Sequence, residues 1–226
     1  MRAKLNMSLD GIVLTIPPKS AVDRENYCRG AATHMWRKPS EANSPELAGQ
    51  SALPRQVPLA RVVPMWGGVS VGGFSVVTFH KTRKMSADEW VNCVKKGKLR
   101  TALASINPQK PDGPWTVLCD GERFLHTRAS NQAYRGAKVT LLTVPPRSPD
   151  LNPVEKFWSW LRRELVALDL KDLKNRRPAL GKAAFKKRVR SLCHSQRAKA
   201  VARNVAKSWR KTCVAVVAAR GAAVKG

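Results

Sequence analysis

The chain has 226 residues, enough for one domain with an extension or for two small domains, and its 43% hydrophobic content excludes a wholly disordered polymer. Lys and Arg outnumber Asp and Glu 42 to 15, a net charge of +27 that points to a polyanionic partner, nucleic acid ahead of ribosome or anionic membrane. Five widely spaced cysteines without a C-x-x-C pair exclude a disulfide framework, Cys193-His194 has no second pair to make a zinc site, and no apolar run is long enough for a membrane span. With no signal-peptide core at the N-terminus either, the composition leads us to expect a soluble intracellular protein with free thiols.

In chain order, "AKLNMSLDGIVLTIPP" alternates Leu5, Met7 and Leu9 with Asn6, Ser8 and Asp10, the period of a half-buried strand with Asp10 on its polar face. Residues 37–58, rich in Pro, Ser, Ala and Glu, read as a loop or insertion. "RVVPMWGGVSVGGFSVVTFH" reads as a hairpin turning at Gly72-Gly73. "SADEWVNCVKKGKLRTALASIN" opens with a capping box, Ser86 and Glu89, and continues as a helix with Gly97 its weak point. "PWTVLCDGE" has the pattern of a buried strand that delivers Asp120 to a sheet edge. A polar helical stretch follows, then "KVTLLTVPP", a strand stopped by Pro145-Pro146. From Asn152, Val154, Phe157, Trp158, Leu161, Leu165 and Leu168 form one helical stripe, with Pro153 in the first turn where its missing N–H is harmless. Antiparallel strands first and helix–strand units afterwards imply an α/β protein, a mixed sheet flanked by helices.

Charge then shifts abruptly. Residues 171–226 hold 17 Lys or Arg and one acid, Asp172, and so carry 16 of the 27 net charges. We therefore expect a domain over 1–170 and a basic helical tail over 171–226, with Ala198, Val201, Val205 and Trp209 as its apolar stripe.

Asp10 on the first strand, Asp120 ending a later one and Glu155 opening a helix are the candidate site residues. Three carboxylates alone repel a polyanion, whereas two divalent cations held by them reverse the local sign and support in-line displacement at phosphorus. Mg²⁺ suits oxygen ligands, and Mn²⁺ can replace it. Each acid also has an ordinary reading. Asp10-Gly11 and Asp120-Gly121 are turn dipeptides, Asp150 is a loop residue bonding its own backbone, and Glu155 complements a helix dipole. Spacing alone leaves both readings open.

"PPRSPDLNPVEKFWSWLRREL" resembles the signature that closes the catalytic domain of mariner-type transposases, members of the DDE transposase and integrase superfamily. In that branch 34 residues separate the second acid from the Glu of the motif, as they separate Asp120 from Glu155 here. "VPMWGGVSVGG" resembles the Trp-Gly strand between the family's first and second acids. The resemblance is strong over Trp115 to Leu165, moderate over Val62 to Phe79 and weak elsewhere. It implies an RNase H-like fold, two-metal cutting and joining of DNA strands with Mg²⁺ or Mn²⁺ on Asp10, Asp120 and Glu155, and a homodimer. Two departures stand out. Gly121 replaces the family's usual Asn, with His126 six residues after Asp120 instead of five. Only nine residues precede Asp10, where family members carry helix-turn-helix modules, so a truncated or derived copy is expected.

For the phosphate backbone the candidates are Arg147, Lys156, Arg162, Arg163, Lys186, Lys187, Arg188, Arg190, Arg203 and Lys207, against the plain alternative of a solvated helix face packed on the domain. Of Trp158 and Trp160, which point different ways on a helix, one is expected in the core, with core or partner packing favoured over base stacking for the other. His126 either orients substrate beside Asp120 or is an ordinary loop histidine. The competing functions are a non-catalytic nucleic-acid-binding relative and a structural basic protein, which has no use for the acid-bearing motif. DNA as the partner implies the nucleus in a eukaryotic host and the cytoplasm otherwise.

Overall fold

A computed structural model of the chain describes residues 5–29, 57–146, 148 and 151–220. Arg147, Asp150 and nearly all of the expected 37–58 loop lie outside the described residues.

Five strands form one mixed sheet in the order β3-β2-β1-β4-β5. These are β1 (Met7–Thr15), β2 (Val62–Ser70), β3 (Gly73–Phe79), β4 (Trp115–Cys119) and β5 (Val139–Thr143). The first three pair antiparallel; β4 runs parallel to both β1 and β5. The hairpin turns at Val71-Gly72, one residue earlier than its glycines suggest. Gly73 already pairs with Ser70 at a φ of 132°, and a Cβ on Gly72 would stand 2.0 Å from the Ile106 carbonyl oxygen.

Helices cover both faces, and each face has its own core. On one side α2 (Ala87–Lys95), α3 (Lys98–Ile106) and α4 (Arg128–Gly136) bury Trp90, Leu103 and Tyr134 against Met7, Leu9 and Trp66 of the sheet. The helix expected over 86–107 is two helices, because Gly97 adopts a left-handed φ of 75° between them. Its capping box forms as expected, with Ser86 Oγ accepting from Glu89 N–H and Glu89 Oε2 from Ser86 N–H.

On the other side α5 (Pro153–Lys174), α6 (Lys182–Cys193) and α7 (Gln196–Ala218) pack over Ile12, Leu14, Met65 and Phe74. Phe157 stacks on Phe74 at 4.2 Å between ring centroids. Trp158 and Trp160 are both buried here, so neither is free to stack a base. The basic C-terminal quarter belongs to this core through Phe185, Val189, Ala198 and Ala202, while α5 runs through the compositional step near residue 170. Ser195 accepts a bond from Ala198 N–H and starts α7, dividing the basic segment into two helices.

Two features of this side differ from the sequence pattern. α1 (Ala21–Arg29) has no apolar stripe; it is held to α5 by Arg24, whose guanidinium bonds both carboxylate oxygens of Asp169 in a fully buried pair. The polar face of β1 is not solvated either. Asn6, Ser8 and Asp10 are all buried, and Ser8 and Asp10 share the phase of Ile12 and Leu14 under the α5–α7 layer.

Candidate active site

Strand register brings the first two acids together. β1 and β4 pair Met7 with Val117 and Ser8 with Leu118, so two residues further on Asp10 and Asp120 stand side by side. β4 ends at Cys119 while β1 continues to Thr15, and a cleft opens past the end of the shorter strand. Glu155 enters from above. Pro153 begins α5, Glu155 is its third residue, and its N–H bonds the Asn152 carbonyl. Asp10, Asp120, Asn152 and Glu155 line one cavity of about 300 Å³ together with Val144, Pro145 and Pro146. A second cavity of about 350 Å³, lined by Gly11 and Trp66, has Glu122 as the one carboxylate among its described lining residues.

The electrostatics of the acid cleft are strained. Burial, hydrogen-bond contact with Glu155 and the charge of Asp120 push the Asp10 carboxyl up to about 9, against the opposing pull of the Gly11 N–H, which donates to Asp10 Oδ1 at 2.6 Å. Asp120 is also raised, by burial first and by the charge of Glu155, although the Glu122 backbone N–H and His126 oppose this. Asp120 Oδ1 is buried with no hydrogen-bond partner among the described residues. His126 Nε2 lies 3.2 Å from the Asp120 carbonyl oxygen, so its contact is with that residue's backbone.

Among the described residues no three His, Cys, Asp or Glu side chains stand close enough to enclose an ion as they lie. The donors nonetheless suit a hard divalent cation. All are carboxylate oxygens, one is buried and unpartnered, and two carboxylates meet without a Lys or Arg among the described lining residues.

Two residues that hold this site were not singled out from the sequence. Ser8 Oγ donates to Asn152 Oδ1 at 2.6 Å and accepts from Val154 N–H at 3.2 Å; Asn152 Nδ2 donates to Asp10 Oδ2 at 3.4 Å. Their only sequence signal is the polar phase of β1 for Ser8 and membership of the "SPDLNP" motif for Asn152.

The candidate backbone-binding cations are dispersed. Lys156, Arg162 and Arg163 are exposed on α5, and Lys187, Arg190, Arg203 and Lys207 on α6 and α7, with Arg203 also donating to the Val71 carbonyl at 3.2 Å. Lys186 is half-buried, its Nζ 4.6 Å from the Phe79 ring centroid, with the Arg190 guanidinium 4.9 Å from the same ring. Burial and then Arg190, Lys182 and Lys98 hold Lys186 below its usual range. Arg188 is the exception to the backbone-binding expectation, since it is engaged in an ion pair with buried Asp172.

A family model described as DDE superfamily endonuclease matches residues 34–175. An uncharacterized protein of Sinorhizobium fredii, y4pE/y4sA, is 31% identical over 83 residues, covering 31% of this chain and 60% of the relative. A Mos1 mariner paired-end complex with Mn superposes with a TM-score of 0.62 at 12% identity, over 97% of this chain and 56% of that one. A pre-cleavage Mos1 transpososome gives 0.61 at 15% identity and the same coverage; the Mos1 catalytic domain with Raltegravir and Mn gives 0.57 at 12%, over 73% and 78%. The chain thus spans somewhat over half the length of the curated relative and of the whole Mos1 chains, and its mixed sheet with helices on both faces is an RNase H-like fold. By the family model, which covers well over half of its length, this chain belongs to the DDE superfamily endonucleases.

Proposed function

We propose that the chain cuts and joins DNA strands, with Asp10, Asp120 and Glu155 holding two Mg²⁺ or Mn²⁺ ions and a homodimer as the working form. The observation that carries this reading is the convergence of three carboxylates, from β1, the end of β4 and the first turn of α5, in one cleft of a protein with a net charge of +27. A fold has no structural use for such a group, since its mutual repulsion costs stability at neutral pH. When bound, the ions supply an activated nucleophile and neutralise the charge that develops on the leaving oxygen. The chain's own residues provide the rest. Asp120 offers its unpartnered Oδ1, the backbone contact of His126 fixes the turn behind it, and exposed Lys156 and Arg162 on the helix of Glu155 hold phosphates of the DNA backbone. The Mn and DNA-end complexes of Mos1 support this assignment of metal and partner, and the nucleus of a eukaryotic host, or the cytoplasm otherwise, is where DNA would be met.

A second reading, a DNA-binding relative without catalysis, draws on the carboxylates not enclosing an ion as they lie. Supercoiled-plasmid nicking in Mg²⁺ or Mn²⁺ separates the two. The proposal expects metal-dependent nicking that falls to the metal-free level in Asp120→Ala and Glu155→Ala. Salt-sensitive DNA binding with no nicking by the unsubstituted protein would establish the second reading instead.

A further inference from the structure

Asn152 occupies the N-cap position of α5, yet its side chain caps none of its own helix's N–H groups. The side chain turns to β1, accepting from Ser8 Oγ at 2.6 Å and donating to Asp10 Oδ2 at 3.4 Å. Ser8 supplies the missing cap from across the interface, its hydroxyl oxygen accepting the Val154 N–H at 3.2 Å. Strand and helix have exchanged capping partners. Ser8, Asn152 and Asp10 are only 1%, 3% and 6% exposed, so water does not compete for these bonds.

The exchange matters because the carboxylates arrive on separate elements. Asp10 and Asp120 are tied through the strand pairing, but Glu155 comes with α5, with 34 residues between it and Asp120. Ser8 grips the second residue of α5 and Glu155 is the third. Ser8 is also two residues before Asp10 on the same face of β1. One hydroxyl therefore sets the approach of the third acid to the first.

We propose that Ser8, acting with Asn152, is a positioning residue that fixes the Asp10–Glu155 separation and thereby sets the preference of the site between Mg²⁺ and Mn²⁺; this rests on the metal-binding reading above. Mg²⁺ demands near-ideal octahedral geometry at short range, so a loosened pair of carboxylates penalises it more than the more tolerant Mn²⁺. Ser8 touches neither substrate nor ion, and its effect runs through Glu155 and Asp10.

The test is calorimetric titration of Mg²⁺ and Mn²⁺ into the intact chain and its Ser8→Ala, Ser8→Thr and Glu155→Ala variants, with melting curves to confirm folding. Ser8→Ala should weaken Mg²⁺ binding about tenfold, the usual scale for a residue supporting a ligand, and Mn²⁺ binding distinctly less. Ser8→Thr, which keeps the hydroxyl, should restore both the affinity and the ratio, whereas a general packing defect would lower both ions alike. An unchanged Mg²⁺/Mn²⁺ ratio in Ser8→Ala, with binding lost in Glu155→Ala, overturns the positioning role and leaves the metal site standing. Unchanged binding in Glu155→Ala overturns the metal site and the positioning role with it. If Ser8→Ala does not fold, Asn152→Ala, which removes the bonds to Ser8 and Asp10, decides: a selective loss of Mg²⁺ binding upholds the inference, and a wild-type ratio overturns it.

Discussion

In the cleft, Asp10 and Glu155 stand within hydrogen-bond reach and Asp120 adds a third carboxylate, with no Lys or Arg among the described lining residues. Where α5 meets α6, by contrast, buried Asp172 takes both Arg177 and Arg188, and further along α5 Asp169 takes Arg24. Both regions bury acids, but only the second pairs them with cations. The paired acids are explained by the fold alone, since Asp169 holds α1, which has no apolar stripe, to α5, and Asp172 adds ion pairs where α5 and α6 already share a core. The unpaired ones are not, and a destabilising group retained in a buried cleft is the mark of a site built for a ligand. The same contrast corrects a simple view of the basic C-terminal quarter. Part of its charge is structural, as with Arg188, and part is exposed and free to meet a polyanion, as with Lys187 and Lys207.

The largest effect that sharpens this comparison concerns the paired side. Arg24→Ala leaves Asp169 buried without its partner and should cost about 3–5 kcal/mol in denaturant unfolding, with α1 detaching first. A loss of only a few tenths would show that Asp169 finds water or another cation. The two regions should next respond to pH with opposite sign. Asp10 titrates near 9 in the fold and near 3.8 when unfolded, so across that window the native state holds the proton that the unfolded chain has lost. Stability of chelator-treated protein should therefore fall as pH rises from 3.8 towards 9, and Asp10→Asn should flatten that slope. Asp172 is held below the usual carboxylate range, first by its bond from Arg188, so its contribution is present above 3.8 and is lost as pH falls through its lower folded value. Arg188→Ala should flatten the acid limb and leave the alkaline one alone. The smallest effect divides the basic helices. Lys207→Ala should reduce the salt dependence of DNA binding by about one counterion, whereas Arg188→Ala should leave that dependence unchanged.

How much of this was legible in the sequence depends on the range of the interaction. Asp120 and Glu155 were marked by a motif and its spacing, because a strand end, a Pro-stopped strand and a helix start are local features. The capping box at Ser86 was read for the same reason. The depth of Asp10 was not read, because period-2 alternation reports that two faces differ and not what covers the second. α1 leaves no periodic signal in the sequence because it is held by Arg24 and not by an apolar stripe. The Ser8–Asn152 exchange lay further out of reach. It joins residues 144 apart, and each alone reads as an ordinary strand serine or a helix N-cap.

The measurement that bears most directly on the cleft as a cation site is a melting comparison of the unsubstituted chain and Glu155→Gln, each with chelator and with Mn²⁺. The neutral amide removes a charge from beside Asp10 with little change in shape. Glu155→Gln should melt higher than the unsubstituted chain in chelator, and Mn²⁺ should raise the melting temperature of the unsubstituted chain alone. A Glu155→Gln protein that melts lower in chelator and gains as much from Mn²⁺ would contradict the cation site, and would make Glu155 an ordinary first-turn acid of α5.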